Sequence, residues 1–358
     1  MTLLFTDSFD HYATADLGLK WQFGNPQGGD TIAVGQGRRG GNALQLLGSS
    51  AELGRFFPTA ISEWIIGFGI NFDSSLVGQQ VIFARLDDTG FDVQPPNPSS
   101  CQCSLVKETN ETISIYKGRP DQSGVLLASG TSTVVPNTWM YLEWKMLISP
   151  SIPSTYVALM LNENPEITLS SGSNSQNTTN LTANIVCFGH QGSNGGAILI
   201  DDLYVSNTSG GSNNDYLGTI RVQCQFPNAS GGTTQWTVHP SGPNYAAVNE
   251  STPDYYTSYI YDNNVGDTDL IQVPALSFHT SKIFGVQHVA VSRKDSGGYR
   301  TIVGAVVSGE NGFTAAQGFF LSDAWEAMNS IWEVDPNTSL NWDSASISNA
   351  QFGVTVQS

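Results

Sequence analysis

Apolar residues in this chain come in short runs closed by glycine, proline, asparagine or aspartate, and no long run carries a helical period. The segment TWMYLEWKMLI, residues 138–148, shows the pattern at its clearest. Side chains of an extended strand alternate between faces. Trp139, Tyr141, Glu143 and Lys145 therefore share one side, and Met140, Leu142, Trp144 and Met146 the other. EWIIGFGINF, QQVIFARLD, CQCSLVK, NIVCFGH and AILIDDLYV read the same way, as strands bounded by turn residues. Many strands with almost no helix imply a sandwich or jelly roll, so the expected class is all-β. Composition agrees. Only 13% of residues are charged, against about 25% in an average soluble domain; Ser, Thr, Asn and Gly fill the difference.

The stretch NTSGGSNNDYLG, residues 207–218, lacks apolar periodicity and reads as a boundary. It divides the chain into a domain at 1–208, a linker at 209–218 and a second β-rich domain at 219–358. The second part holds further strands, among them DLIQVPAL, IFGVQHVAVSRK, RTIVGAVVSG and QFGVTVQ. One helix is expected over SDAWEAMNSIW, residues 322–332, with Ser322 as N-cap and Trp325, Met328 and Trp332 on one side. A second helical turn is expected at WDSASISNAQ, capped by Asp343.

ILIDDLYVSN, residues 198–207, poses a problem. Regular alternation puts Ile198, Ile200, Asp202 and Tyr204 on one face, and Leu199, Asp201, Leu203 and Val205 on the other. Each apolar face then carries a carboxylate, which must be neutralised, hydrogen-bonded or bound to a cation.

Several function classes are disfavoured. The net charge is −17 and no basic cluster exceeds Arg38–Arg39 or Arg293–Lys294, so nucleic acid is not an expected ligand. No apolar run approaches the ~20 residues that span a bilayer. MTLLFTDSFDHY has no basic region and bears Asp7 and Asp10, so it is not read as a secretion signal. Cys101, Cys103, Cys187 and Cys224 are accordingly expected to be reduced thiols. The histidines lack ligand spacing, and no G-x-S-x-G, H-E-x-x-H or Walker pattern occurs.

TDSFDHY, TWMYLEWKMLIS, ALMLNENPE and ILIDDLYV, in that order, resemble the concanavalin A-like (laminin G-like) jelly rolls of bacteriophage virion proteins. YLGTIRV, NYAAVNE, GDTDLIQV, VAVSRKDSGGYRTI, WEVDPNTSLNW and AQFGV resemble a module that follows such domains in phage structural and tail proteins. The resemblance implies a virion component, in tail, fibre or capsid decoration, made in the host cytoplasm. Its partners would be other virion proteins and further copies of itself, with host surface glycan as the alternative for a lectin-like receptor-binding protein. It also implies that the first and last strands of the jelly roll lie side by side.

In sugar-binding jelly rolls of similar build, acids on those strands hold a structural Ca²⁺. The candidates are Asp7, Asp10, Asp201 and Asp202. The simpler reading is that these acids accept hydrogen bonds at the sheet edge. Glycan candidates are Trp139, Tyr141 and Glu143, set against partly buried packing. The E-x-D-x-x-E pattern of β-glucanases on this fold is absent, so the expectation is that the chain is not an enzyme. Trp325, Trp332 and Trp342 are read either as an interface or as core of the second domain.

Overall fold

The computed structural model describes residues 2–24, 29–49, 51–88, 100–153, 156–192, 195–276, 278, 280, 282–315 and 317–358. The chain divides into two units: Thr6–Val222 with Thr2, and Gln223–Ser358 with Leu3–Phe5.

The first unit is a jelly-roll sandwich of two antiparallel sheets. In spatial order one sheet runs Asn164–Thr168 (β13), Ala158–Leu161 (β12), Met140–Leu147 (β11), Glu63–Phe72 (β6), Ala197–Ser206 (β15), Ala43–Leu47 (β4) and Asp30–Ala33 (β3), with Leu3–Asp7 (β1) also on β15. The other runs Val125–Ser129 (β10), Ile113–Lys117 (β9), Cys101–Lys107 (β8), Val81–Asp87 (β7), Ala183–Gln191 (β14), Glu52–Ile61 (β5) and Phe23–Gly24 (β2). The ends of the unit meet, and Asn207 N–H donates to the Thr2 carbonyl at 3.0 Å.

Period-2 alternation dictates the packing. Inward rings of β6 meet those of β7 and β14: Phe68 lies 5.0 Å from Phe188 and Phe72 lies 5.3 Å from Phe83, both edge-on. Trp64 and Trp144 are fully buried. Such rings supply most of the apolar area that holds two sheets together. A short helix, Leu17–Lys20 (α1), precedes the sandwich strands of the first hairpin.

The second unit is also β-rich. Its main sheet joins Ala229–Thr234 (β16), Thr268–Gln272 (β19), Gln351–Val356 (β25), Thr301–Ser308 (β21) and Asn311–Thr314 (β22), with Phe319–Phe320 (β23) on β21. Two ribbons accompany it: Thr237–His239 (β17) with Tyr259–Tyr261 (β18), and Val286–Ser292 (β20) with Glu326–Trp332 (β24). The helix Ser344–Asn349 (α2) is capped by Asp343, whose carboxylate accepts from Ser346 N–H at 2.7 Å, as the sequence suggested.

The helix expected at 322–332 does not form. Residues 326–332 are β24, paired along their whole length with β20. Trp325, Met328 and Trp332 fit a helical stripe, but Met328, Ser330 and Trp332 also alternate, and all three are buried. The strand forms because β20 offers a ladder partner along its whole length, and Gly304 on β21 leaves room for Ser330: a Cβ there would lie 2.6 Å from the Ser330 Cβ. Trp332 and Trp342 sit in the core of this unit with Phe352, Ile347 and Ile271. The Trp342 indole N–H donates to the Trp332 carbonyl at 2.9 Å.

Candidate functional site

The paired aspartates lie on one face, contrary to regular alternation. Along β15 and β6 the pairing runs from Asp201 opposite Gly69 to Tyr204 opposite Gly67, so Asp202 and Leu203 together face Phe68. This is a β-bulge, which inserts a residue and re-aims the side chains beyond it. Asp202 takes the left-handed conformation, φ 51°, that the bulge requires and that Asp tolerates. Leu203 and Val205 remain in the core, and Asp201, Asp202 and Tyr204 share the outer face.

The next strand sets the geometry of that face. Tyr141 on β11 pairs with Gly69, and Glu143 with Gly67. The rows are therefore Tyr141–Gly69–Asp201 and Glu143–Gly67–Tyr204. The glycines are required there. A Cβ on Gly67 would fall within the Tyr204 ring, and one on Gly69 would lie 2.7 Å from the Arg38 side chain. Both large groups lie flat over β6 because the strand has no side chains beneath them.

Arg38 is the cation of the cluster. Its Nε and Nη2 donate to Asp202 Oδ2 at 2.8 and 2.7 Å, and its backbone N–H donates to Asp201 Oδ2 at 2.7 Å. Its guanidinium stacks on Tyr141, 4.7 Å from the ring centroid. The Tyr141 hydroxyl donates to the Asp202 carbonyl. Asp202 takes the guanidinium and Asp201 a backbone N–H of Arg38, so burial first and then the Asp202 charge raise the Asp201 carboxyl to about 8. Glu143 is also raised, chiefly by burial.

The chain closes this face with its own backbone. Glu143 Oε1 accepts from Tyr204 Oη at 2.6 Å, Leu217 N–H at 2.8 Å and Gly218 N–H at 2.9 Å. Val222 N–H donates to Asp202 Oδ1 at 2.7 Å, Thr219 N–H donates to Glu163 at 2.9 Å, and Arg38 reaches the Ile220 carbonyl. Lys145 pairs with Asp215 at 3.2 Å. Gly218 adopts φ +80°, in the left-handed region that glycine favours. The stretch 209–218, expected as a linker, thus lies in the first unit. Its polar composition reads as a linker because the bonds that hold it come from the main chain.

Tyr141 and Glu143, expected to meet glycan, are 1% and 2% exposed. Trp139 is half-buried just before β11. The four aspartates do not fit a calcium ion. Asp7 binds Lys20 at 3.2 Å and accepts from Tyr12, Trp21 and Phe9. Although burial raises its carboxyl, Lys20 and His11 hold it below the usual range. Asp10 accepts from Asn42 N–H at 2.7 Å, while Asp201 and Asp202 are served by Arg38. Among the described residues no group of three or more His, Cys, Asp or Glu is placed to hold a metal ion.

The sequence reading missed Arg38, Tyr204 and residues 217–222. The one available signal was GFG at 67–69, alternate glycines on a strand, which mark a close approach by another group. A second polar cluster on the other sheet was also missed: Arg85 bonds Asp87 at 2.9 Å, Gln191 at 3.0 Å and Glu52, all across β7, β14 and β5.

No family model matches the chain, and no curated protein matches it in sequence. Solved structures similar to it include an alginate lyase, vAL-1, from Chlorella virus, with 7% identity, TM-score 0.41, and cover of 57% of this chain and 99% of that one. A protein of unknown function with a galectin-like fold from Bacillus subtilis has 14% identity and TM-score 0.39, covering 57% and 98%. A Trypanosoma rangeli sialidase has 9% identity and TM-score 0.32, and this chain spans 46% of itself and 25% of that protein. The architecture of the first unit is an all-β jelly roll of two antiparallel sheets. Enzymes stand among these similar structures, so the expectation that the chain is not an enzyme is withdrawn.

Proposed function

We propose that the chain is a structural component of a bacteriophage virion, made in the host cytoplasm and held in the particle by contacts with other virion proteins and with copies of itself. The observation that carries this reading is the sealed face of the jelly roll. Tyr141 donates to the Asp202 carbonyl and Tyr204 to Glu143, Glu143 accepts from Leu217 and Gly218 N–H, and Asp202 accepts from Arg38 and Val222 N–H. A face closed in this way serves as scaffold. Exposed rings lie instead on the second unit, where Tyr256, Tyr261, Tyr299 and Phe320 are each more than half exposed. Aromatic rings at a surface favour association. The resemblance of the second half to phage structural modules points the same way. Quantitative mass spectrometry of washed particles tests it: several copies per particle are expected. Presence in the infected lysate with absence from washed particles would overturn it.

A second reading is recognition of host surface glycan. It is favoured by the same exposed rings of the second unit, not by Trp139, Tyr141 and Glu143. A glycan array probed with the whole chain checks it; saturable binding is expected, and none on any glycan contradicts it.

A further inference from the structure

Arg293 follows β20 directly, and Trp325 precedes β24 directly. The ladder ends with Ser292 opposite Glu326, so Arg293 and Trp325 flank its open end. Tyr255 and Tyr256 pack onto the same place, their rings 5.7 and 5.8 Å from the Trp325 ring. The Arg293 guanidinium lies 5.0 Å from the Tyr256 centroid and 5.5 Å from that of Trp325. Its one hydrogen bond among the described residues is from Nη1 to the Asp323 carbonyl, at 3.3 Å. No carboxylate pairs with it there; the Asp323 carboxylate faces Lys294, at 3.7 Å. A chain of net charge −17 thus holds a guanidinium in place with two rings and, among the described residues, gives it no counter-ion.

We propose that Tyr256, Trp325 and Arg293 form a binding site for a sugar that carries a carboxylate. The inference rests on the glycan-recognition reading and names the site and the ligand class. Stacking fixes the guanidinium plane, so its free N–H groups are pre-organised for the two oxygens of a carboxylate. Tyr256 is 63% exposed, leaving ring surface for the apolar face of a pyranose. Charge selects among ligands. A neutral sugar leaves the Arg293 fork unpaired. A run of acidic side chains meets Asp254, which precedes Tyr255, and Asp323, whose carbonyl Arg293 binds, together with the −17 field. One carboxylate on an uncharged ring satisfies the arginine and keeps that repulsion small.

The test is calorimetric titration of the whole chain with methyl galacturonate and 3′-sialyllactose, each bearing one carboxylate, with maltotriose and triglutamate as controls. Saturable binding of at least one acidic sugar is expected, weakened by salt and absent for maltotriose. Arg293→Gln and Tyr256→Ala should each weaken it about tenfold or more at unchanged melting temperature. Tyr256 is exposed, so its variant folds even if the arginine variant does not. Failure of both acidic sugars to bind, equal binding of maltotriose or triglutamate, or full binding by folded Tyr256→Ala would overturn the site. Glycan binding that both variants retain would leave the recognition reading standing and remove only this site. Presence in washed particles is unaffected by either result.

Discussion

Glu143 is the residue on which the closed face depends most. One of its oxygens serves two main-chain donors and the Tyr204 hydroxyl. A buried donor left without an acceptor costs about 1–3 kcal/mol. Glu143→Ala is therefore expected to destabilise the protein by at least ~3 kcal/mol in urea unfolding; a loss within ~0.5 kcal/mol, the range of a neutral surface change, would contradict the assignment. Asp201 gives a pH dependence. Its folded carboxyl is raised to about 8 by burial and by the Asp202 charge. The stability it contributes is complete below the unfolded carboxylate range and is lost as pH rises through about 8. Two half-buried histidines act oppositely: loss of solvation lowers His11 to about 3 and His288 to about 4. Their contribution is lost as pH falls below the unfolded value of about 6.5. Stability is expected to peak near pH 6.5 and to fall by about 2 kcal/mol toward pH 8, and Asp201→Asn should flatten that alkaline limb. An unchanged alkaline limb in the variant would show that Asp201 is not the group responsible.

At the scale of elements, side-chain periodicity was legible and main-chain chemistry was not. The alternation in β11 placed Tyr141 and Glu143 on one face and Trp144 on the other, as observed, with Trp144 in the core. The bulge in β15 left no mark beyond the doubled aspartate, since one extra residue changes the register without changing composition. Residues 217–222 were illegible for a related reason: they bind through N–H groups that every residue except proline carries. β24 was misread because Trp325, Met328 and Trp332 satisfy a helical period while Met328, Ser330 and Trp332 satisfy a strand period. The choice between them lay in a distant partner, β20. Gly67 offers a direct check on how the outer face is packed. Gly67→Ala drives a methyl into the Tyr204 ring, and overpacking of this kind costs about 1–3 kcal/mol. Denaturant midpoints of the two proteins would measure it, and equal midpoints would mean that Tyr204 does not lie over β6.

At the scale of the whole molecule, the boundary falls at 222/223 and not at 208. A fragment ending at residue 208 retains the strands of the sandwich but strips Glu143 and Asp202 of their main-chain donors. A fragment ending at residue 222 is expected to melt higher than the shorter one; equal melting temperatures would place residues 209–222 outside the fold. These residues belong to the jelly roll and seal its carboxylate-bearing face. Hydrogen exchange at individual amides tests that claim most directly. The Leu217, Gly218 and Val222 amides, each bonded to a buried carboxylate, should exchange as slowly as those of the first unit's strands. Exchange of these amides at the rate of an open chain, with the strands still protected, would contradict it.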